Sequence, residues 1–219
     1  MDMEKYGLEQ LLPEEIEKKS FQMISEELQG RQFPPLEEPV IKRCIHTSAD
    51  FDYADHLIFS EKAAEQAIEA LRQGALIVTD TNMGKAGINQ AALKKARCEV
   101  CCFMADPEVA EEARRRGETR AVISMEKAAK IVREGKRPVI FAIGNAPTAL
   151  IKLYEMITEE GLRPALIIGV PVGFVNVEAA KEMILNTEVP HIVARGRKGG
   201  SNIAAAIVNA LLYQAVGRG

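Results

Sequence analysis

The chain has 219 residues, 47% of them hydrophobic and 27% charged, with a formal net charge of −3. That size suits one domain, 1–219, able to bury most of the surface its unfolded form exposes, and that charge excludes a broad phosphate-neutralising face and with it nucleic acid as a partner. No apolar run reaches the roughly 18 residues of a membrane span, and Met1 to Ser20 is acidic and polar, with no basic or apolar leader segment; the expectation is a soluble, cytoplasmic protein with no membrane contact.

In chain order, residues 14 to 29 show helical spacing (Ile16, Phe21, Ile24, Leu28) and end at Gly30, before an extended stretch from Arg31 to Pro39 with three prolines. Pro39, tolerated in a first turn, opens a second predicted helix through His46. These elements form a helical extension ahead of a βα alternation. A helix from Glu61 to Gly74 leads into the apolar run Ala75 to Val78 and then into Thr79-Asp80-Thr81-Asn82-Met83. Four further strands are predicted: Glu99 to Met104, Val139 to Ile143, Ala165 to Ile168 and His191 to Ala194. Each is short, apolar on both faces and followed by a helical pattern, as in a parallel sheet covered on both sides. The fold class is therefore α/β: a Rossmann-like, doubly wound, mainly parallel five-stranded sheet with an N-terminal helical extension.

Cys98, Cys101 and Cys102 have partly metal-like spacing, but they fall on or beside a strand whose successive side chains face opposite ways, and no second ligand pair follows. No metal site is expected. Arg114 to Arg116, beside Glu111 and Glu112, read as a solvated helix face. The final helix, introduced by Ser201-Asn202, is apolar nearly all round from Ile203 to Leu212, broken only by Asn209. A helix of that kind is buried on every side, which predicts a partner subunit over its outer face and hence a homodimer.

The last three predicted strands end in glycine-punctuated turns: Gly144-Asn145-Ala146-Pro147-Thr148, Gly169-Val170-Pro171-Val172-Gly173-Phe174 and Arg195-Gly196-Arg197-Lys198-Gly199-Gly200-Ser201. In an open α/β sheet such turns meet at the carboxyl edge, where helix N-termini collect anions. Neither common nucleotide fingerprint is present. Two turns differ sharply in cations, so several separate anionic groups fit better than one pyrophosphate, and a polycarboxylate is the natural candidate.

These turns, with Ile45-His46 and Asp80-Thr81-Asn82-Met83 upstream, resemble the precorrin-8X methylmutase family of cobalamin biosynthesis in order and spacing over nearly the whole chain. The resemblance implies an isomerase that moves a methyl group from C-11 to C-12 of a corrin precursor, precorrin-8X or cobalt-precorrin-8, giving hydrogenobyrinate or cobyrinate. It implies no cofactor, any cobalt belonging to the substrate, and a homodimer with the macrocycle near the subunit interface. Hand-over of product to the next pathway enzyme is left open, as is the metal state of the substrate, although Lys85-Ala86-Gly87-Ile88 resembles the cobalt-first branch.

A methyl shift around a conjugated ring is eased by a proton supplied where electron density changes. His46 matches the family's catalytic position, and histidine can donate near neutral pH. General acid catalysis of this kind contributes about 10² to 10⁴ in rate. His56 reads instead as a surface or capping residue, and His191 as packing. For the substrate's carboxylates the candidates are Asn145 and Thr148 at one helix start, and Arg195, Lys198, Gly199, Gly200 and Ser201 at another. Arg120 and Ser20 enter through the resemblance, each equally explicable as a solvated residue. Thr81, Met83, Gly173 and Phe174 complete the set, Met83 and Phe174 as soft contacts for a flat ring. Two other readings stand beside this one: a tetrapyrrole carrier without turnover, and a Rossmann-like enzyme acting on a phosphorylated small molecule.

Overall fold

Strand side chains that point alternately to the two sides of a sheet decide where the helices go. The structure, a computed structural model, describes residues 4–7, 9 and 11–217. After a short 3-10 turn, the elements are α1 (Pro13–Glu27), α2 (Glu38–Ser48), α3 (Tyr53–His56), β1 (Leu57–Phe59), α4 (Ala63–Arg72), β2 (Leu76–Thr79), α5 (Asn82–Gly87), α6 (Gln90–Ala96), β3 (Glu99–Cys101), α7 (Pro107–Arg116), α8 (Arg120–Glu134), β4 (Val139–Ile143), α9 (Pro147–Glu160), β5 (Leu166–Gly169), α10 (Val177–Leu185), β6 (His191–Ala194) and α11 (Ser201–Ala215).

Ile77, Ile140, Ala142, Leu166, Ile168, Ile192 and Ala194 face one layer, built from α2, α4, α6 and α11. Leu76, Val78, Val139, Phe141, Ile143, Ile167 and Val193 face the other, built from α8, α9 and α10. Both faces of the sheet are thus buried, as the two-sided apolar runs require. The sheet has six strands, in the order β1-β6-β5-β4-β2-β3. The five predicted strands are β2 to β6, all pairing in parallel. The sixth, β1, adds an antiparallel edge, with Leu57 opposite Ala194 and Phe59 opposite Ile192; it corrects the expected count. It is three residues long, too short for an alternating pattern, and exists because β6 offers it a ladder. The predicted strand Glu99 to Met104 also shrinks to Glu99–Cys101.

Strand order reverses between β2 and β4, so the crevice at their carboxyl ends is the topological switch point where this class of fold binds ligands. α11 is buried from Ile203 to Leu212 except at Asn209, which is half-buried. Its cover comes from α2, α4, α5 and α6 of the same chain. All-round burial was read correctly, but it needs no partner subunit, and the argument from this helix to a dimer falls.

Candidate active site

The switch point is occupied by the protein's own charge. Asp80, 1% exposed at the end of β2, accepts hydrogen bonds from the backbone NH groups of Gly144 (2.9 Å), Asn145 (2.8 Å) and Ala146 (2.6 Å) in the β4–α9 turn. Burial pushes its carboxyl above the ordinary value, against the pull of those three donors. Next to it, the Thr81 hydroxyl caps α5 by accepting from Gly84 NH (2.9 Å) and lies 2.7 Å from Ser201 Oγ. Gly144 lies so close to the start of α11 that a Cβ there would stand 2.6 Å from Ser201 Cα and 2.7 Å from Gly200 O. Glycine at 144 is thus a packing requirement that locks the β4 and β6 exits together.

The β6–α11 turn is organised by the opposite charge. Lys181 of α10 is wholly buried, and its Nζ donates to Gly196 O (2.7 Å) and Lys198 O (2.8 Å). The intervening carbonyl, Arg197 O, accepts from Gly173 NH (3.1 Å). Desolvation lowers the Lys181 ammonium to about 8. Gly199 and Gly200 have φ of +157° and +133°, and a Cβ on Gly199 would meet Val170 O at 2.1 Å. Gly200 NH donates to that same oxygen at 2.8 Å. Ser201 begins α11, and no side chain caps this helix: the pair Ser201-Asn202 that introduces it follows Gly200 at the N-cap.

The structure gathers most of the expected site residues along this edge. Thr81 and Ser201 touch, Gly173 bonds the Arg197 carbonyl, and the Arg197 guanidinium lies 5.5 Å from the Phe174 ring centre. Met83 (72% exposed) and Phe174 (82%) stand out as bare apolar side chains, with Val172 and Val175 beside Phe174. The cations of the β6–α11 turn are already paired: Arg195 with Glu182 (2.9 Å), Arg197 with Glu178 (3.2 Å), and Lys198 with both Asp50 (2.6 Å) and Asp52 (2.5 Å). Lys198 holds the Asp50 carboxyl below its ordinary value. Arg120 differs. It is exposed at the first residue of α8 and has no ion pair among the described residues. A cation at the positive end of a helix dipole gains nothing from its own helix, so Arg120 is available to an external anion. Thr148 joins it through the Thr119 cap of α8, the two hydroxyls being 3.0 Å apart.

A cleft of about 330 Å³ opens beside the turn, lined by Asp52, Tyr53, His56, Glu178, Ala194 and Arg195 to Lys198. His56, read from the sequence as a capping residue, therefore borders the site; its Nδ1 lies 3.0 Å from Asp52 O. A larger cleft, about 500 Å³, lies at the far end of α11 around Leu36, Arg72 and Tyr213, away from every candidate residue. The smaller one is where the charges converge.

His46 does not line that cleft. It lies exposed in the last turn of α2, its ring stacked on Phe21 of α1 with centroids 5.2 Å apart and planes 15° apart. Four residues further on, beyond the end of α2, Asp50 pairs with Lys198 of the β6–α11 turn, while Arg43, three residues before the histidine, lies over the Tyr213 ring (5.3 Å) toward the far end of α11. Among the three histidines, His56 bonds Asp52 O and buried His191 bonds Val189 O (2.9 Å), whereas the ring nitrogens of His46 bond nothing among the described residues. Ser20, beside Phe21, spends its hydroxyl on Ile16 O of its own helix (2.8 Å) and bonds no other candidate among the described residues.

Two residues that hold this edge were missed. Asp80 lay in the quoted Thr79-Asp80-Thr81 segment, but nothing there distinguishes a buried carboxylate from an exposed one. Lys181 left a trace: Val177, Ala180, Lys181 and Ile184 follow the spacing of a buried stripe, and a lysine in such a stripe is a signal.

Comparison with known proteins adds an independent finding. The model of the precorrin-8X methylmutase family matches residues 15–214. The cobalt-precorrin-8 methylmutase of Leptospira interrogans is 43% identical, over 93% of this chain and 94% of that protein. The Salmonella typhimurium protein of the same name is 44% identical, over 92% and 95%. A solved precorrin-8x methyl mutase from Thermus thermophilus superimposes with a TM-score of 0.83 at 39% identity, over 91% of this chain and 96% of that one.

Proposed function

The chain belongs to the precorrin-8X methylmutase family, and from that premise we propose that His46 is its general acid and the carboxyl edge of its sheet its corrin site. The protein is an isomerase of cobalamin biosynthesis, a methylmutase. The single observation that carries the role of His46 is its open imidazole: exposed in the last turn of α2, it alone of the three histidines has both ring nitrogens unbonded among the described residues. Proton donation from His46 to the macrocycle accompanies migration of the methyl group, and the proton returns when the product's conjugation is set.

The remaining residues bind and orient. Met83 and Phe174 are exposed apolar surfaces suited to a flat ring. Arg120 meets one substrate carboxylate; Arg195 and Lys198 meet others by exchanging Glu182, Asp50 and Asp52 for substrate. Such exposed pairs exchange at little cost, each being worth about 0–1 kcal/mol. Asn145 contributes its side chain only, because Asp80 holds its backbone NH. Rigid placement of the ring supplies a further part of the rate. The glycines that left a phosphorylated ligand open are explained by packing on Ser201 and Val170.

The proposal extends to a reaction without a cofactor, any cobalt being part of the substrate, and to a cytoplasmic homodimer that hands its product to the next enzyme. Among the described residues no helix is long and apolar enough to cross a membrane, and the exposed Ile16 and Met23 of α1 offer the dimer an apolar surface. Anaerobic incubation with precorrin-8X and with cobalt-precorrin-8, followed by absorption and mass, tests the assignment. Conversion at constant mass of at least one substrate is expected, and conversion of neither would overturn it.

A further inference from the structure

α10 carries Val177, Ala180 and Ile184 into the core, and between them a lysine at an equivalent position. A buried ammonium is costly unless it is fully hydrogen-bonded, and Lys181 sits where two carbonyls of one turn converge, Gly196 O and Lys198 O. With Gly173 NH on Arg197 O, three consecutive carbonyls of the β6–α11 turn are held by partners from the protein. The NH groups of Gly196, Arg197, Lys198 and Gly199, by contrast, bond nothing among the described residues. From Gly196 to Lys198 the turn therefore has its acceptors occupied and its donors free.

We propose that Lys181 is a positioning residue for corrin binding: by holding the Gly196 and Lys198 carbonyls it leaves the free NH groups and cations of this turn to meet the substrate's carboxylates. It touches no substrate itself. The inference rests on the carboxyl edge being the corrin site, and it adds to that reading a residue on a different helix. The consequence is specific. Losing the buried donor frees two carbonyls, the turn rearranges to rehydrate them, and the donors lose their arrangement, which weakens ground-state binding more than the chemical step.

The test uses the whole chain as wild type, Lys181→Met and Lys181→Gln. For each, circular dichroism reports folding, absorption titration gives the Kd for hydrogenobyrinate and for cobyrinate, and kcat and KM are measured on whichever substrate the wild type converts. Lys181→Met is expected to fold, to bind hydrogenobyrinate roughly tenfold to a hundredfold more weakly and to raise KM in parallel, with kcat within about threefold. Lys181→Gln, which keeps an amide donor, is expected to recover part of the affinity. A folded Lys181→Met protein with wild-type Kd would overturn the proposal, as would a fall in kcat at unchanged KM. Failure of both variants to fold would also overturn it, since the bonds would then hold the whole fold and not the turn. If wild type itself binds neither hydrogenobyrinate nor cobyrinate, the corrin site is wrong and this inference falls with it.

Discussion

The β4–α9 and β6–α11 turns look alike in sequence, each glycine-rich and each at a strand exit, yet they are built on opposite charges. In the first, the carboxylate of Asp80 gathers three backbone NH groups inward. In the second, the ammonium of Lys181 gathers two carbonyls inward. A glycine turn at the edge of an α/β sheet is therefore not in itself an anion site. The buried counter-charge decides which polarity the backbone has left for a ligand: Asp80 takes up three successive NH groups of the first turn, whereas four successive NH groups of the second, Gly196 to Gly199, stay unbonded among the described residues.

The largest effect that bears on this contrast is expected from Asp80→Ala. Three NH groups lose their acceptor, and urea unfolding should show a loss of about 3 to 5 kcal/mol; a loss below about 1 kcal/mol would mean water replaces the carboxylate and the contrast is superficial. The Lys181 ammonium is next. Its folded value of about 8 lies below its ordinary 10.5, so between those pH values the unfolded chain holds a proton that the folded chain has released. The burial penalty is present in full below pH 8 and is lifted as pH rises toward 10.5. Stability of wild type relative to Lys181→Met should rise by about 3 kcal/mol across that window, and a flat difference would place the ammonium in contact with water. The comparison with the variant is needed because buried Tyr53, pushed up to about 12, and buried Cys44 oppose ionisation at alkaline pH.

Gly144→Ala tests whether the two turns are locked. A Cβ 2.6 Å from Ser201 Cα forces backbone from backbone, at an expected cost of about 1 to 3 kcal/mol in chemical denaturation, with weaker corrin binding. Arg195→Gln should be the mildest change, within about 0.5 kcal/mol of wild type by thermal unfolding, because the Glu182 pair is exposed. A loss as large as that of Asp80→Ala would show that surface pairs, not buried charges, hold the edge.

Much of the fold was legible because its driving force is. Runs such as Val139 to Ile143, apolar on both faces, can be satisfied only between two helical layers, and the all-apolar stretch of α11 only in the interior. The unpaired edge of β6 had no sequence signature, so β1 went unseen. The positions of the glycine turns were legible from sequence; their polarity was not, because it depends on Asp80 and Lys181 being buried, a property of tertiary packing. The same limit explains the dimer argument. The apolar surface of α11 was read correctly, but whether α2, α4, α5 and α6 or a second copy covers it depends on helix placement that no local pattern encodes. For His46, the family resemblance pointed to the residue and apolar spacing gave its helix, while its stacking on Phe21 comes from packing against α1.

The most direct measurement is single-turnover conversion of corrin substrate by wild type and His46→Ala, with hydrogenobyrinate affinity measured on the same samples. A fall in rate of about 10² to 10⁴ at unchanged affinity is the expected result. A His46→Ala protein that converts substrate at the wild-type rate would contradict proton donation by His46.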